Sequence, residues 1–236
     1  MSDWKAKRFW KEASVDVVDG GFAVRLDGRG VKTPAKTALV VPTNAMAQAI
    51  AAEWDAQVEK IDPLTMPVTR SANAALDKVA TQFDEVAEMI AAYGDSDLLC
   101  YRADGPEALV QRQSDRWDPL LDWAHETYGA RLMVAQGVMH VAQSETALKA
   151  LSDQVHQMDP FRLAGFHDLV GISGSLILGL AVTRGRLSPI EAWSLSRLDE
   201  DWQIEQWGPD DEATEVARKK ESDFVSAANF YELSVT

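Results

Sequence analysis

The chain changes its pattern near residue 70, from short β-rich runs to an almost unbroken helical pattern. Residues 14–18, 22–26 and 38–42 are β-rich, and a glycine turn comes directly after each of the first two runs. So few short strands cannot bury enough apolar surface to be stable alone. The segment after Thr43 carries apolar residues four positions apart, so we expect Thr43 to cap a helix that covers the strands.

From about Ser71 onward, apolar residues recur at helical spacing. We therefore predict an α+β fold, with a small N-terminal β-meander/α domain at residues 1–70 and a larger C-terminal helical bundle at residues 71–236. The predicted helices are a helix or broken pair ending at Gly94, a helix kinked or split at Pro119, one helix in residues 144–158, one from Asp159 to Gly185, one from the Ser188–Glu191 capping box to Gly208, and one from Asp210 toward Glu232.

The predicted helix that starts at Asp159 carries a stripe of small residues. Gly171, Ser175 and Gly179 follow one another at spacing four, which leaves one face with almost no side chain. Such a face allows close backbone approach, so we expect a central helix of the bundle core.

Composition and charge exclude several classes of protein. The net charge of −14 argues against nucleic-acid partners, because phosphate backbones are bound by clustered lysine and arginine. One cysteine, Cys100, excludes an internal disulfide and suits a reducing compartment. The longest apolar run, residues 169–182, is too short to cross a bilayer, and the start lacks a signal or transit pattern. We expect a bacterial cytoplasmic protein, monomeric and without membrane insertion.

The common catalytic templates are absent. The sequence has no phosphate-binding loop, no dinucleotide fingerprint and no zinc-protease histidine pair, so neither a cofactor nor a metal is predicted. Ser173 lies in a sequence similar to a nucleophile elbow, but Ser175 stands where the closing glycine belongs. His167 and Asp168 are adjacent on a predicted helix and are expected to point apart. Cys100 is expected to be a buried structural thiol.

An acidic stretch with tryptophans, residues 194–208, is the main functional candidate. On a helical projection its carboxylates fan around the axis, whereas a glycosidase needs two that face each other across a bond. From residue 199 to residue 215 there are eight acidic residues and no basic one, a field that attracts a basic partner. From the residues alone, a solvated face, a protein contact and an acidic hydrolase using Asp201 or Glu205 all remain open.

Several motifs occur in the order of a known family: RFWKEASV, AAEWDAQ, LCYRA, RQSDRWDPLLDWA, SGSLILGLA and EAWSLSRLDEDWQIEQWG. Over residues 8–230 the chain resembles the assembly chaperone of the F-type ATP synthase catalytic sector that acts on the alpha subunit. The resemblance implies a protein that is not an enzyme, binds the free alpha subunit and is released as the subunit pairs with the beta subunit. It also implies a mitochondrial matrix location for eukaryotic relatives.

The resemblance assigns the family's important acidic position to Asp199 and makes the surrounding helix the partner-binding element. The predicted partner-binding residues are Asp199, Glu200, Asp201, Trp202, Glu205 and Trp207. Two alternatives are kept beside the chaperone: a hydrolase with a carboxylate pair, and a generic acidic protein-binding adaptor.

Overall fold

The structure is a computed structural model that describes residues 7–236. Its contacts divide the chain into two compact units. The first unit contains the described residues up to Phe83 together with Asp159–Gly165 and Asn229–Thr236, and the second unit contains Asp84–Met158 and Phe166–Ala228. Strands at the beginning and helices over most of the remainder confirm the α+β class. The division at residue 70 into two continuous domains stays a prediction.

The predicted strands form a small antiparallel sheet in the first unit. Strands β1 (Ala13–Val18) and β2 (Gly21–Leu26) form a hairpin, and β3 (Arg29–Gly30) and β4 (Val40–Val41) both pair with β2 on its other edge. Gly21 has a φ of 144°, and a Cβ at this position would collide with the carbonyl oxygen of Val41. Only glycine fits there, which is why the hairpin closes at this turn.

Helix α1 (Asn44–Asp55) covers this sheet, as the sequence predicts. The Thr43 hydroxyl accepts a hydrogen bond from the Met46 amide and caps the helix. The side chains of Met46 and Ile50 are completely buried. Their apolar area supplies the burial that the short strands lack on their own.

The remaining α-helices of the described chain follow α1 in sequence order. They are α2 (Pro67–Asp77), α3 (Phe83–Ala91), α4 (Glu107–Tyr128), α5 (Glu145–His156), α6 (Pro160–Ser173), α7 (Leu176–Thr183), α8 (Pro189–Ser196), α9 (Leu198–Trp207) and α10 (Asp211–Leu233). The first predicted helical segment is a broken pair, and Pro119 lies inside α4 without splitting it. The carbonyl that Pro119 leaves unpaired belongs to Asp115, which is exposed to water. No helix within residues 7–236 combines the length and apolar character that a membrane span needs.

The prediction of one helix from Asp159 to Gly185 is wrong. The chain breaks between α6 and α7, where Gly174 has a left-handed φ of 72° and the Ser175 hydroxyl caps α7 at the Leu178 amide. The expected stripe of small residues is therefore also wrong, because Gly171 is exposed and Ser175 lies in the break. Gly179 does allow close packing, since a Cβ there would lie 3.0 Å from the Phe166 ring.

The predicted helix from Ser188 to Gly208 is also divided. The capping box of Ser188 and Glu191 is confirmed, but the helix ends at Ser196 and α9 starts at Leu198. Arg197, with φ −110° and ψ 14°, forms the break between them. Positions on α8 and α9 therefore do not share one helical projection.

The sequence did not reveal a short parallel pair of strands in the second unit. Strand β5 (Tyr101–Arg102) pairs with β6 (Ala135–Gln136), and the amide of Gly137 donates to the carbonyl of Arg102 over 2.8 Å. Two residues per strand carry no alternation that a pattern search can detect.

Candidate protein-binding site

The acidic helix α9 is held in place by α4 within the second unit. The Trp117 indole donates to the carbonyl of Leu195 over 3.0 Å, just before α9 begins. The buried Gln113 amide donates to the Asp199 carboxylate over 2.7 Å, and its own oxygen accepts from the Ala103 amide. Asp199 therefore satisfies a buried polar side chain, and its removal would leave that amide donor without a partner.

Arg112 joins α4 to the last turn of α9. Its two terminal nitrogens donate to the two carboxylate oxygens of Glu205, each over 2.8 Å. Its guanidinium also lies 4.6 Å from the centre of the Trp202 ring, within the range of a cation–π contact. The hydrogen bond with Glu205 raises the pKa of Arg112, and the same bond lowers the pKa of Glu205.

Arg197, at the break before α9, faces the first turn of the helix. Its guanidinium nitrogens lie 3.8 Å from a carboxylate oxygen of Glu200 and 3.9 Å from one of Asp201. The guanidinium carbon is 5.5 Å from the centre of the Trp193 ring. Asp201 and Glu205 lie four residues apart on α9, so their like charges repel each other unless a cation lies nearby. The structure shows cations from the chain itself beside both carboxylates, so their retention needs no partner.

The six predicted residues separate into two groups on α9. Asp199, Trp202 and Glu205 contact side chains of α4. The other three line an open groove of about 740 Å³ between the α8–α9 segment and α10. This second group consists of Glu200, Asp201 and Trp207.

The groove combines exposed apolar side chains with charge. Trp207 is 80 % exposed, and Ile190, Ile204 and Val216 line the same groove with much of their surface in water. Exposed apolar side chains that cluster in a concave surface are typical of a protein contact, and tryptophan is enriched among the residues that contribute most to binding in such contacts. The groove is therefore the part of the α9 region that is available to a partner.

The geometry does not favour the hydrolase alternative. A general acid needs a carboxyl with a raised pKa, whereas the pKa of Glu205 is lowered. Burial raises the pKa of Asp97 to about 6, but that carboxylate accepts hydrogen bonds from Ser175 and from the amides of Ile177 and Leu99. Its position at the start of α7 is structural.

The other residues considered from the sequence also have local explanations. The Ser173 hydroxyl donates to the carbonyl of Leu169 over 2.7 Å at the end of α6. Cys100 is buried as expected, and burial raises the pKa of its thiol to about 12. His167 and Asp168 were expected to point apart, which is wrong: their side chains lie 2.8 Å apart at the surface. Within residues 7–236, no group of three potential ligands is arranged to hold a metal ion.

Sequence reasoning missed Arg112 and Gln113 as the partners of the acidic helix. Both residues belong to the motif RQSDRWDPLLDWA, which carries the family resemblance but did not point to the site. The positions of the two residues on α4 do not indicate a contact with α9. Gln113 is 86 residues from Asp199 in the chain, and Arg112 is 93 residues from Glu205.

Comparison with known proteins agrees with the resemblance found in the motifs. The family model described as ATP12 chaperone protein matches residues 7–125. The crystal structure of Atp12 from Paracoccus denitrificans is 50% identical, has a TM-score of 0.96 and covers 98% of this chain and 100% of that chain. An aspartate-to-lysine mutant of the P. denitrificans Atp12p gives 49% identity, a TM-score of 0.96 and coverage of 99% and 100%.

A more distant relative is the protein atp12, mitochondrial, of Schizosaccharomyces pombe. It is 23% identical over 222 residues, which are 89% of this chain and 76% of the relative. The family model and the P. denitrificans structures agree with the order of the sequence motifs, and those structures match nearly the whole chain. The chain belongs to the ATP12 chaperone family, the assembly chaperones of the ATP synthase.

Proposed function

We propose that this protein binds the free alpha subunit of the F-type ATP synthase catalytic sector and prevents its aggregation until it pairs with the beta subunit. The groove beside α9 is the single observation that supports this proposal most directly. An unassembled subunit exposes apolar surface that would otherwise aggregate, and a chaperone protects it by offering apolar surface of its own. The exposed Trp207 with its apolar neighbours provides such a surface.

The charge of the groove gives the contact its selectivity. Glu200, Asp201 and Asp210 line the groove, and so do the basic residues Arg197, Arg218 and Lys220. Charged side chains of both signs around an apolar centre decide which partner surface fits, while the apolar centre supplies most of the affinity. The proposed partner surface is therefore apolar with complementary charges of both signs at its edge.

The six predicted residues have two proposed roles. Glu200, Asp201 and Trp207 contact the alpha subunit directly. Asp199, Trp202 and Glu205 set the position of α9 through Gln113 and Arg112 on α4, which is a positioning role. Asp199 also lines a smaller cleft of about 420 Å³ that contains Lys220, so a lysine at this position would place like charges together.

We further propose that the protein acts as a monomer in the bacterial cytoplasm without catalysing a reaction. Binding that is reversed by the beta subunit needs no nucleotide hydrolysis, and moderate affinity is sufficient for such an exchange. The S. pombe relative is named as mitochondrial, which agrees with a matrix location for eukaryotic members.

The proposal is tested with purified alpha subunit diluted from denaturant into buffer without nucleotide. Light scattering should be suppressed at an equimolar amount of this protein and should return when Trp207→Ser replaces the wild type. Phe9→Ser is a matched control, because Phe9 is another exposed aromatic residue and lies outside the groove. Equal scattering with and without the wild-type protein would refute the proposal.

Asp199→Lys tests the positioning role separately. We expect weaker capture of the alpha subunit with unchanged helical content by circular dichroism. Capture at wild-type strength would remove Asp199 from the site. A pull-down from cell extract that recovers a basic protein other than the alpha subunit would instead favour the generic adaptor.

A further inference from the structure

The longest connection of the second unit, between α4 and α5, exposes an unusual number of apolar side chains. Residues 133–141 of this connection, here called the apolar loop, carry Val138 at 95 % exposure and Met139 at 76 %. The other exposed apolar members of the loop are Met133, Val134 and Val141. Apolar residues concentrated in this way on one surface segment usually mark a contact with another molecule.

The base of the apolar loop is fixed by hydrogen bonds. The backbone of Met133 exchanges two hydrogen bonds with the Gln143 side chain, over 2.6 and 2.9 Å. The Asp95 carboxylate accepts a hydrogen bond from the backbone amide of Gln143, and its other oxygen lies 2.9 Å from Nε2 of His140. Strand β6 within the loop pairs with β5. A loop ordered before binding loses less conformational entropy when a partner arrives, so these contacts favour binding.

The apolar loop continues into a notch that carries charge. Val134 belongs to both, and the notch of about 230 Å³ is also lined by Asp118, Asp122 and Arg131. The Asp118 carboxylate accepts from the buried Arg102, whereas neither Asp122 nor Arg131 forms an ion pair within residues 7–236. A partner segment with a charged side chain next to apolar ones would match this combination.

We propose that the apolar loop is a second capture surface for the free alpha subunit, and that its occupant is an apolar segment of that subunit with charged side chains of both signs beside it. This inference rests on the proposed function. Charge selects this occupant: a net charge of −14 repels a second copy of the chain and an anionic membrane, while Asp122 attracts a basic side chain and Arg131 an acidic one. Methionine suits such a surface because its flexible thioether adapts to irregular partners.

The apolar loop and the groove beside α9 have no residue in common. If both surfaces engage one alpha subunit, the second contact is intramolecular and adds affinity through effective concentration. Loss of one surface should then weaken capture without abolishing it. This graded behaviour distinguishes two surfaces from a single site.

The test uses full-length protein with Val138→Thr and Met139→Gln combined, and purified alpha subunit. We expect the apparent Kd for the alpha subunit to rise about tenfold, because two side chains lose apolar contact area. The matched control combines Val17→Thr with Met89→Gln, the same two exchanges at positions that are 80 % and 49 % exposed outside the loop. The control should bind like the wild type.

A photo-crosslinking residue at position 139 identifies the occupant. We expect a crosslink to the alpha subunit and none from the same residue placed at position 17. A crosslink only to a second copy of the chain, loop-dependent association with anionic vesicles, or an unchanged Kd in the loop variant would each overturn the inference. If the wild type itself does not bind the alpha subunit, the proposed function fails and this inference fails with it.

Discussion

Replacing Asp97 by asparagine should remove a pH dependence that burial creates in the second unit. Asp97 is completely buried, and its carboxylate accepts hydrogen bonds from the Ser175 hydroxyl over 2.7 Å and from the Ile177 amide over 3.0 Å. Burial outweighs these hydrogen bonds and raises the pKa of Asp97 from 3.8 to about 6. The folded state therefore binds the proton more tightly than the unfolded chain.

The sign and size of the effect are set by this difference in proton affinity. Below about pH 4 the carboxyl is protonated in both states and contributes nothing to the pH dependence. Between about pH 4 and 6 the unfolded chain loses the proton first, so the free energy of unfolding falls as the pH rises. A rise in pKa from 3.8 to about 6, at about 1.4 kcal/mol for each pH unit, corresponds to about 3 kcal/mol.

The assay is urea denaturation followed by tryptophan fluorescence, for the wild type and Asp97→Asn, from about pH 4 to 7. Low protein concentration is needed, because the sequence pI is ≈ 4.7. The free energy of unfolding of the wild type minus that of the variant should fall by about 3 kcal/mol over this range. A difference that stays constant or increases with pH would refute the reasoning that burial dominates at Asp97.

Asp27 provides a control of opposite sign. The amides of Glu12 and Lys11 donate to its carboxylate and lower its pKa. A lowered pKa stabilises the folded state above the pKa of the unfolded chain, and this contribution is lost as the pH falls. The difference between the wild type and Asp27→Asn should therefore increase with pH in the range below about pH 4, so this control needs measurements that extend below the range used for Asp97. If the stability difference falls with pH for Asp97→Asn and rises with pH for Asp27→Asn, a general effect of net charge on stability is excluded.

Three further outcomes are expected. Ser188→Ala should lower the free energy of unfolding by about 1 kcal/mol in urea denaturation, because the capping box of α8 is lost, whereas Ser222→Ala on the exposed face of α10 should not. Gly179→Ala should destabilise the protein by about 1–3 kcal/mol, since its Cβ would lie 2.9 Å from Val170 and 3.0 Å from Phe166; Gly171→Ala, with open space around it, should not. Arg112→Ala should raise the pKa of Glu205 measured by NMR, and an unchanged value would mean that the Arg112–Glu205 hydrogen bonds are absent in solution.

Much of the fold could be predicted because local signals were strong. The glycine turn at residues 20–21 and the caps at Thr43 and Ser188 each act through a few neighbouring residues. The breaks at Gly174 and Arg197 were missed, because apolar residues continue across both and suggest one helix. The Asp97 carboxylate accepts a hydrogen bond from the Ser175 hydroxyl at the start of α7, although the two residues are 78 positions apart in the chain. No local sequence pattern encodes such a contact.

The candidate site was only partly predictable for the same reason. The density of carboxylates and tryptophans pointed to α9, and the motifs pointed to Asp199. The division of the helix into a face toward α4 and a face toward the groove depends on Arg112 and Gln113, which meet α9 only in the folded chain. The apolar loop was not noticed, because the sequence alone does not show whether adjacent apolar residues such as Val138 and Met139 are buried or exposed.

Capture of the free alpha subunit by the purified protein is the most direct test of the proposed function. Isolated alpha subunit is diluted from denaturant without nucleotide, and light scattering is followed with the wild type, with Trp207→Ser and with the control Phe9→Ser. We predict that the wild type and Phe9→Ser suppress aggregation at an equimolar ratio and that Trp207→Ser suppresses it much less. Aggregation that proceeds equally with and without the wild-type protein would contradict the proposed function.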